Sequence, residues 1–137
     1  MNRFRGERWS AALILCGVLA IGCGPRPIVG GTRGSLRGGE QPLGEVQVSV
    51  FASEQGVWTL IGSAITTDDG GFALVTPGAQ GPLQLPAGEY RCTLESAGAP
   101  IRIPPEYLQP ETTPLRVVRS DDAAPLELAT PPLAVTR

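Results

Sequence analysis

Valine recurs at every second position in Val46-Gln47-Val48-Ser49-Val50, with polar residues between, and Phe51-Ala52 extends the run. That period of two is the mark of a strand with one face buried and one wet. A second apolar run spans 57–67, where Trp58, Leu60 and Ile61 break the alternation. Thr66-Thr67-Asp68-Asp69-Gly70-Gly71 is a turn by composition, and Phe72 to Thr76 resumes as a strand. The spacing therefore predicts a hairpin over 57–76. Glu89 to Glu95 predicts another strand, with Tyr90, Cys92 and Leu94 on its inner face. Weaker strands are expected at 32–37, 115–119 and 126–129. Ile101 to Ile103 is a brief extended piece stopped by Pro104-Pro105. The stretch 104–114 reads as an irregular excursion with one helical turn at Glu106–Leu108, and the chain from Thr130 reads as a frayed tail.

Composition agrees with this reading. The chain has 137 residues, 42% of them apolar, which suits one domain. Eighteen glycines and fourteen prolines interrupt it too often for long helices. Short strands with this punctuation predict an all-β sandwich of about seven strands in two sheets.

The N-terminus has a different texture. Arg3, Arg5 and Arg8 precede an apolar stretch from Ala11 to Ile21, the pattern of a secretory leader. The stretch falls short of the roughly 20 apolar residues a membrane span takes. It ends in Leu19-Ala20-Ile21-Gly22-Cys23, a small residue directly before a cysteine. This resembles the bacterial lipobox, with Ala20 where leucine is usual. The resemblance implies diacylation of Cys23 and cleavage before it, and two acyl chains make stable anchoring. Cys16 follows Leu15 and suits that role less well. The organisation expected is a leader over 1–22, a tether over 23–31, a sandwich over 32–130 and a flexible tail over 131–137. Gly24 in place of aspartate after the anchor implies, by analogy with Gram-negative lipoproteins, delivery to the outer membrane.

Charge narrows the function. The chain has no histidine, and all eleven basic residues are arginine. Arginine holds its proton well above neutral pH. Serine–histidine triads, histidine-ligated zinc and Schiff-base lysines are absent from this chain. Arg3, Arg5, Arg8 and Glu7 leave with the leader, so eight basic residues face twelve acidic ones, a net charge of −4. Nucleic acid, which calls for a basic face, is not an expected partner. With Cys16 removed and Cys23 acylated, Cys92 has no disulfide partner and reads as a small buried hydrophobe.

Four features invite chemistry. Asp68-Asp69-Gly70 clusters oxygen donors, yet lacks the alternating carboxylates and distant glutamate of a calcium loop. A turn explains it, as it does Asp121-Asp122. Glu106 and Glu111 form a carboxylate pair of the kind that does acid–base work, but no apolar pocket is implied around them. Trp58 and Tyr107 form a candidate ligand-stacking platform. No cofactor and no metal site is expected.

The order of motifs resembles carboxypeptidase regulatory-like domains. Gly39-Glu40-Gln41-Pro42-Leu43-Gly44 followed by Val46-Gln47-Val48 is similar to their opening, one residue shorter between Leu43 and Gly44. Thr67-Asp68-Asp69-Gly70-Gly71-Phe72 and Leu85-Pro86-Ala87-Gly88-Glu89-Tyr90 resemble their middle turn and closing motif. Ile103 to Leu115 resembles a segment of small planctomycete-type lipoproteins. The resemblance implies a transthyretin-like or immunoglobulin-like Greek-key sandwich without catalytic residues. The function expected is a lipid-anchored, monomeric envelope module that binds or spaces protein partners. A carbohydrate-binding module is the alternative, and a carboxylate- or metal-dependent hydrolase a weaker one.

Overall fold

The computed structural model describes residues 30–121 and 123–136. The expected leader, Cys23 and most of the expected tether lie outside them. The described chain is all-β, with eight strands: β1 Arg33–Gly38, β2 Gln41–Pro42, β3 Val46–Glu54, β4 Val57–Ile65, β5 Gly71–Ala73, β6 Gly88–Ser96, β7 Arg116–Arg119 and β8 Leu126–Thr130. They form two sheets. One has the order β4-β3-β6-β7, and all its pairs are antiparallel. The other is centred on β1, which pairs antiparallel with β2 and β5 and parallel with β8. The chain leaves the first sheet after β4, makes β5 in the second, and returns as β6 beside β3. That return is the Greek-key crossing of a sandwich.

The core lies between the inner faces. Val46, Val48 and Val50 are fully buried, as their alternation predicts. They meet Cys92 and Leu94 of β6, and Leu36, Leu126 and Leu128 of the opposite sheet belong to the same cluster. Each buried leucine or valine contributes roughly 1.5–3 kcal/mol relative to exposure. Tyr90 closes one end, its hydroxyl donating to the Pro86 carbonyl at 2.7 Å. The motif Pro86 to Tyr90 thus makes a corner resembling the one at an immunoglobulin strand entry.

Two expectations are corrected. The hairpin is β3–β4 and not 57–76. Glu54 pairs with Val57 across Gln55-Gly56, both with positive φ (52° and 80°), a two-residue turn of the primed kind. Gly71–Ala73 pairs instead with β1 in the other sheet, and the expected hairpin keeps only a bridge between Ser63 and Val75. The Asp-Asp-Gly-Gly turn reverses the chain at a corner between sheets. Second, the segment after Thr130 is not frayed. The Arg102 amide donates to the Ala134 carbonyl and the Thr136 amide to that of Pro100, both at 2.8 Å, beside an Ile101–Val135 bridge.

The 104–114 excursion has the helical turn expected of it and is anchored to the core. A 3-10 turn over Pro105–Leu108 buries Tyr107, which is 5% exposed. Fully buried Thr113 donates to the Cys92 carbonyl at 2.7 Å, and the Cys92 amide donates to the Leu115 carbonyl at 2.9 Å. Leu115 therefore joins the core just ahead of β7.

Candidate functional site

The outer face of the four-stranded sheet is where the chain departs from simple amphipathic design. Alternation along β4 places Ile65 and Ser63 outward, opposite Gln47 and Ser49 of β3. Continued unbroken, it would turn Leu60 and Trp58 into the core. The register shifts between Val50 and Phe51, so Ile61 is an extra residue on β4. Ile61 packs against the core instead, and beyond it the phase is inverted. Leu60 now stands opposite Phe51, and Trp58 opposite Ser53, all on the outer face. Bulges re-aim side chains in this way. The broken alternation of Trp58, Leu60 and Ile61 has this as its physical cause.

Arg91 completes the face. On β6, it lies opposite Phe51 of β3 and Arg116 of β7. Its guanidinium sits 4.3 Å above the Trp58 ring centroid. One terminal nitrogen donates to the Pro110 carbonyl at 2.8 Å and to that of Glu111 at 3.3 Å. The planar cation is thus fixed on two sides, by an aromatic face and by backbone carbonyls. Leu60 is 43% exposed and Ile65 59%. Phe51 and Trp58 are half-buried. The result is an apolar, aromatic surface with one immobilised positive charge.

No family model, curated protein or solved structure matches the chain. The site must therefore be argued from its own residues.

Trp58 and Tyr107 do not form a platform together. Tyr107 is inside the core, where burial and then the Glu106 charge raise its hydroxyl pKa, so half-buried Trp58 is the one member of the expected pair that reaches the surface. Glu106 and Glu111 are exposed, and Glu111 contributes its backbone carbonyl, not its carboxylate, to Arg91. At the inter-sheet corner, Asp69 Oδ1 accepts hydrogen bonds from the Thr67 hydroxyl and from the Gly71 amide at 3.0 Å. These bonds, the Thr67 one foremost, hold its carboxyl below the usual range. Asp69 faces its own turn, and Gly70, with φ of 80°, accepts the Leu36 amide at 2.8 Å. Asp121 likewise accepts from the Ala123 amide at 2.8 Å, while Asp122 lies outside the described residues. Among the described residues no three acidic or cysteine side chains converge as metal ligands. Cys92 is fully buried and its thiol is pushed up to about 12 by desolvation, the opposite of a nucleophile's environment. Cys23 lies outside the described residues.

Sequence reading missed Arg91 and Phe51 as site members. The signal was present in the bulge-like break of β4, but the cross-strand register that brings Arg91 to Trp58 is set by the fold.

Proposed function

We propose that the chain is a lipid-anchored module of the cell envelope, of the carboxypeptidase regulatory-like, transthyretin-like kind, that binds a protein partner through the outer face of its four-stranded sheet. It is non-catalytic and monomeric in this reading. Lipid on Cys23 holds it to the membrane, with Gly24 favouring the outer membrane. The observation that carries the binding role is the bulge-directed exposure of Leu60 and Trp58 beside the fixed Arg91 guanidinium. Aromatic and arginine side chains are the residues that most often dominate protein interfaces, and side chains already immobilised lose less entropy on binding. The carbohydrate reading is less well supported, because Tyr107 is not available to stack on a sugar.

Two measurements test the two halves. Mass spectrometry of the mature protein should find an acylated N-terminus at Cys23, and Cys23→Ala should leave the leader uncut. An unmodified mature N-terminus elsewhere overturns the anchor. For binding, Leu60→Asp should leave the melting temperature within about 3 °C of wild type, as surface changes usually do. Wild type should migrate in larger complexes on native gels of solubilised membranes, and the variant should not. Complexes unchanged in that variant would contradict the role of this face.

A further inference from the structure

We propose that Arg119 is the recognition residue of a carboxylate-binding cleft in the seam between the two sheets. Arg119 ends β7 and stands opposite Gly88, a partner without a side chain, on the face that also carries Val117 and Tyr90. It therefore points inward. It is 6% exposed, and none of its three guanidinium nitrogens has a hydrogen-bond partner among the described residues. Arg91, on the same sheet, leaves only its Nε buried without a partner and has two carbonyls and an aromatic face. Arginine cannot shed its charge to escape burial, so an unpaired buried guanidinium calls for an anion.

The surroundings define which anion. Arg119 lines a cleft of about 300 Å³ beneath the segment joining β7 to β8. These strands are consecutive but belong to different sheets and share no pairing. The cleft is bounded by Arg116, Asp121, Pro125, Leu126 and Glu127. Neither acid neutralises Arg119. Asp121 accepts from the Ala123 amide, and Glu127 is an exposed residue paired with Ser35 on the far sheet. The one unpartnered guanidinium here carries a single charge, which suits a monoanion better than a dianion. A carboxylate matches the guanidinium fork with two parallel hydrogen bonds. Pro125 and Leu126 give the rest of the ligand an apolar wall. The cleft shares Arg116 with the outer face carrying Trp58, but Arg119 faces inward and the Trp58–Arg91 stack outward, so either assignment can fail without the other.

The test is the melting of the full chain in detergent at pH 7 and constant ionic strength, in sodium chloride, sodium acetate, sodium phosphate or hexaglutamate. Saturating acetate should raise the melting temperature by about 5 °C or more over chloride, and phosphate should do less. An equal response per carboxylate from acetate and hexaglutamate assigns the site to small free acids. A hexaglutamate response at far lower concentration assigns it to an acidic segment of a macromolecule. Arg119→Met should abolish the acetate response. Arg119→Lys, which keeps the charge and loses the fork, should weaken acetate affinity at least about 5-fold and decides the matter if the methionine variant does not fold. In wild type, the Arg119 Nε–H resonance should move on acetate titration. Acetate and chloride giving equal melting, phosphate exceeding acetate, an undiminished response in either variant, or an unmoved resonance overturns the proposal.

Discussion

The two outer faces of the sandwich are built on the same inner logic and finished differently. On the β1-centred sheet, Arg33, Ser35 and Arg37 alternate with core positions; Ser35 and Arg37 meet Glu127 and Ala129 of β8, and Arg33 meets Ala73 of β5. That face is small and charged, the ordinary finish of a solvated sheet. On the four-stranded sheet, Phe51, Trp58, Leu60 and Ile65 stand outward, and the nine residues of β4 contain no charge at all. Their exposure adds nothing to the core, and an uncharged edge strand is an aggregation hazard that folds usually blunt. Stability explains the first face. It does not explain the second, whose apolar groups are directed outward by a bulge.

The largest expected effect checks that the inner faces are equivalent. Leu36→Ala in one sheet and Leu94→Ala in the other each remove a fully buried side chain and should cost about 2–5 kcal/mol in denaturant melts. A loss confined to one sheet would mean that the two do not share a core. Next comes the corner joining the sheets. A Cβ at Gly70 would lie 2.5 Å from the Leu36 carbonyl oxygen, with φ at 80°. Gly70→Val should destabilise by about 1–3 kcal/mol, alike in calcium and in chelator. Calcium should shift wild-type melting by under about 1 °C, where a site with a Kd near 10 μM would give roughly 10 °C. Cys92→Ala, at the centre of β6, should cost about 1–2 kcal/mol. Its thiol should resist alkylation at pH 8 until the chain unfolds, because burial keeps it protonated to about 12.

Smaller effects sharpen the contrast between outer faces. Trp58→Ala removes a stack on Arg91 worth about 0.5–1 kcal/mol. It should therefore disturb binding far more than folding. A loss above about 3 kcal/mol would make Trp58 a core residue and return its face to structure. The smallest effect is at Asp69. Its folded pKa lies below the unfolded value, so its contribution is present above the unfolded pKa and fades as pH falls through the folded one. The group is fully exposed, so Asp69→Asn should flatten the acid limb of the pH–stability curve only slightly. An unchanged acid limb would show that the Thr67 and Gly71 bonds are equally strong in the unfolded chain.

Much of the sandwich is legible in the chain because one face of each main strand is apolar. Val46 to Val50 and Tyr90 to Leu94 announce both their strands and their inner faces. The β3–β4 hairpin is hard to read because Gln55-Gly56 lacks the asparagine or aspartate that usually marks a primed turn, whereas Asp68-Asp69-Gly70-Gly71 has every turn residue and connects different sheets. Tyr107 looked exposed because a lone aromatic among prolines carries no period. The 3-10 turn Pro105–Leu108 that carries it turns it inward, and the Thr113 bond to the Cys92 carbonyl ties the excursion to β6. Arg119 ends a four-residue strand, and charge argued for solvent where register placed it inside.

The most direct test of the binding face is photo-crosslinking in intact cells from two single positions in full-length protein, Leu60 on the four-stranded sheet and Arg37 on the opposite one. Both are exposed, so the probe perturbs neither core. A discrete protein adduct from position 60, lost when Trp58→Ala is added, with none from position 37, is the expected result. Adducts of equal yield from both positions, or none from position 60, would contradict a partner docked on the Trp58–Arg91 face.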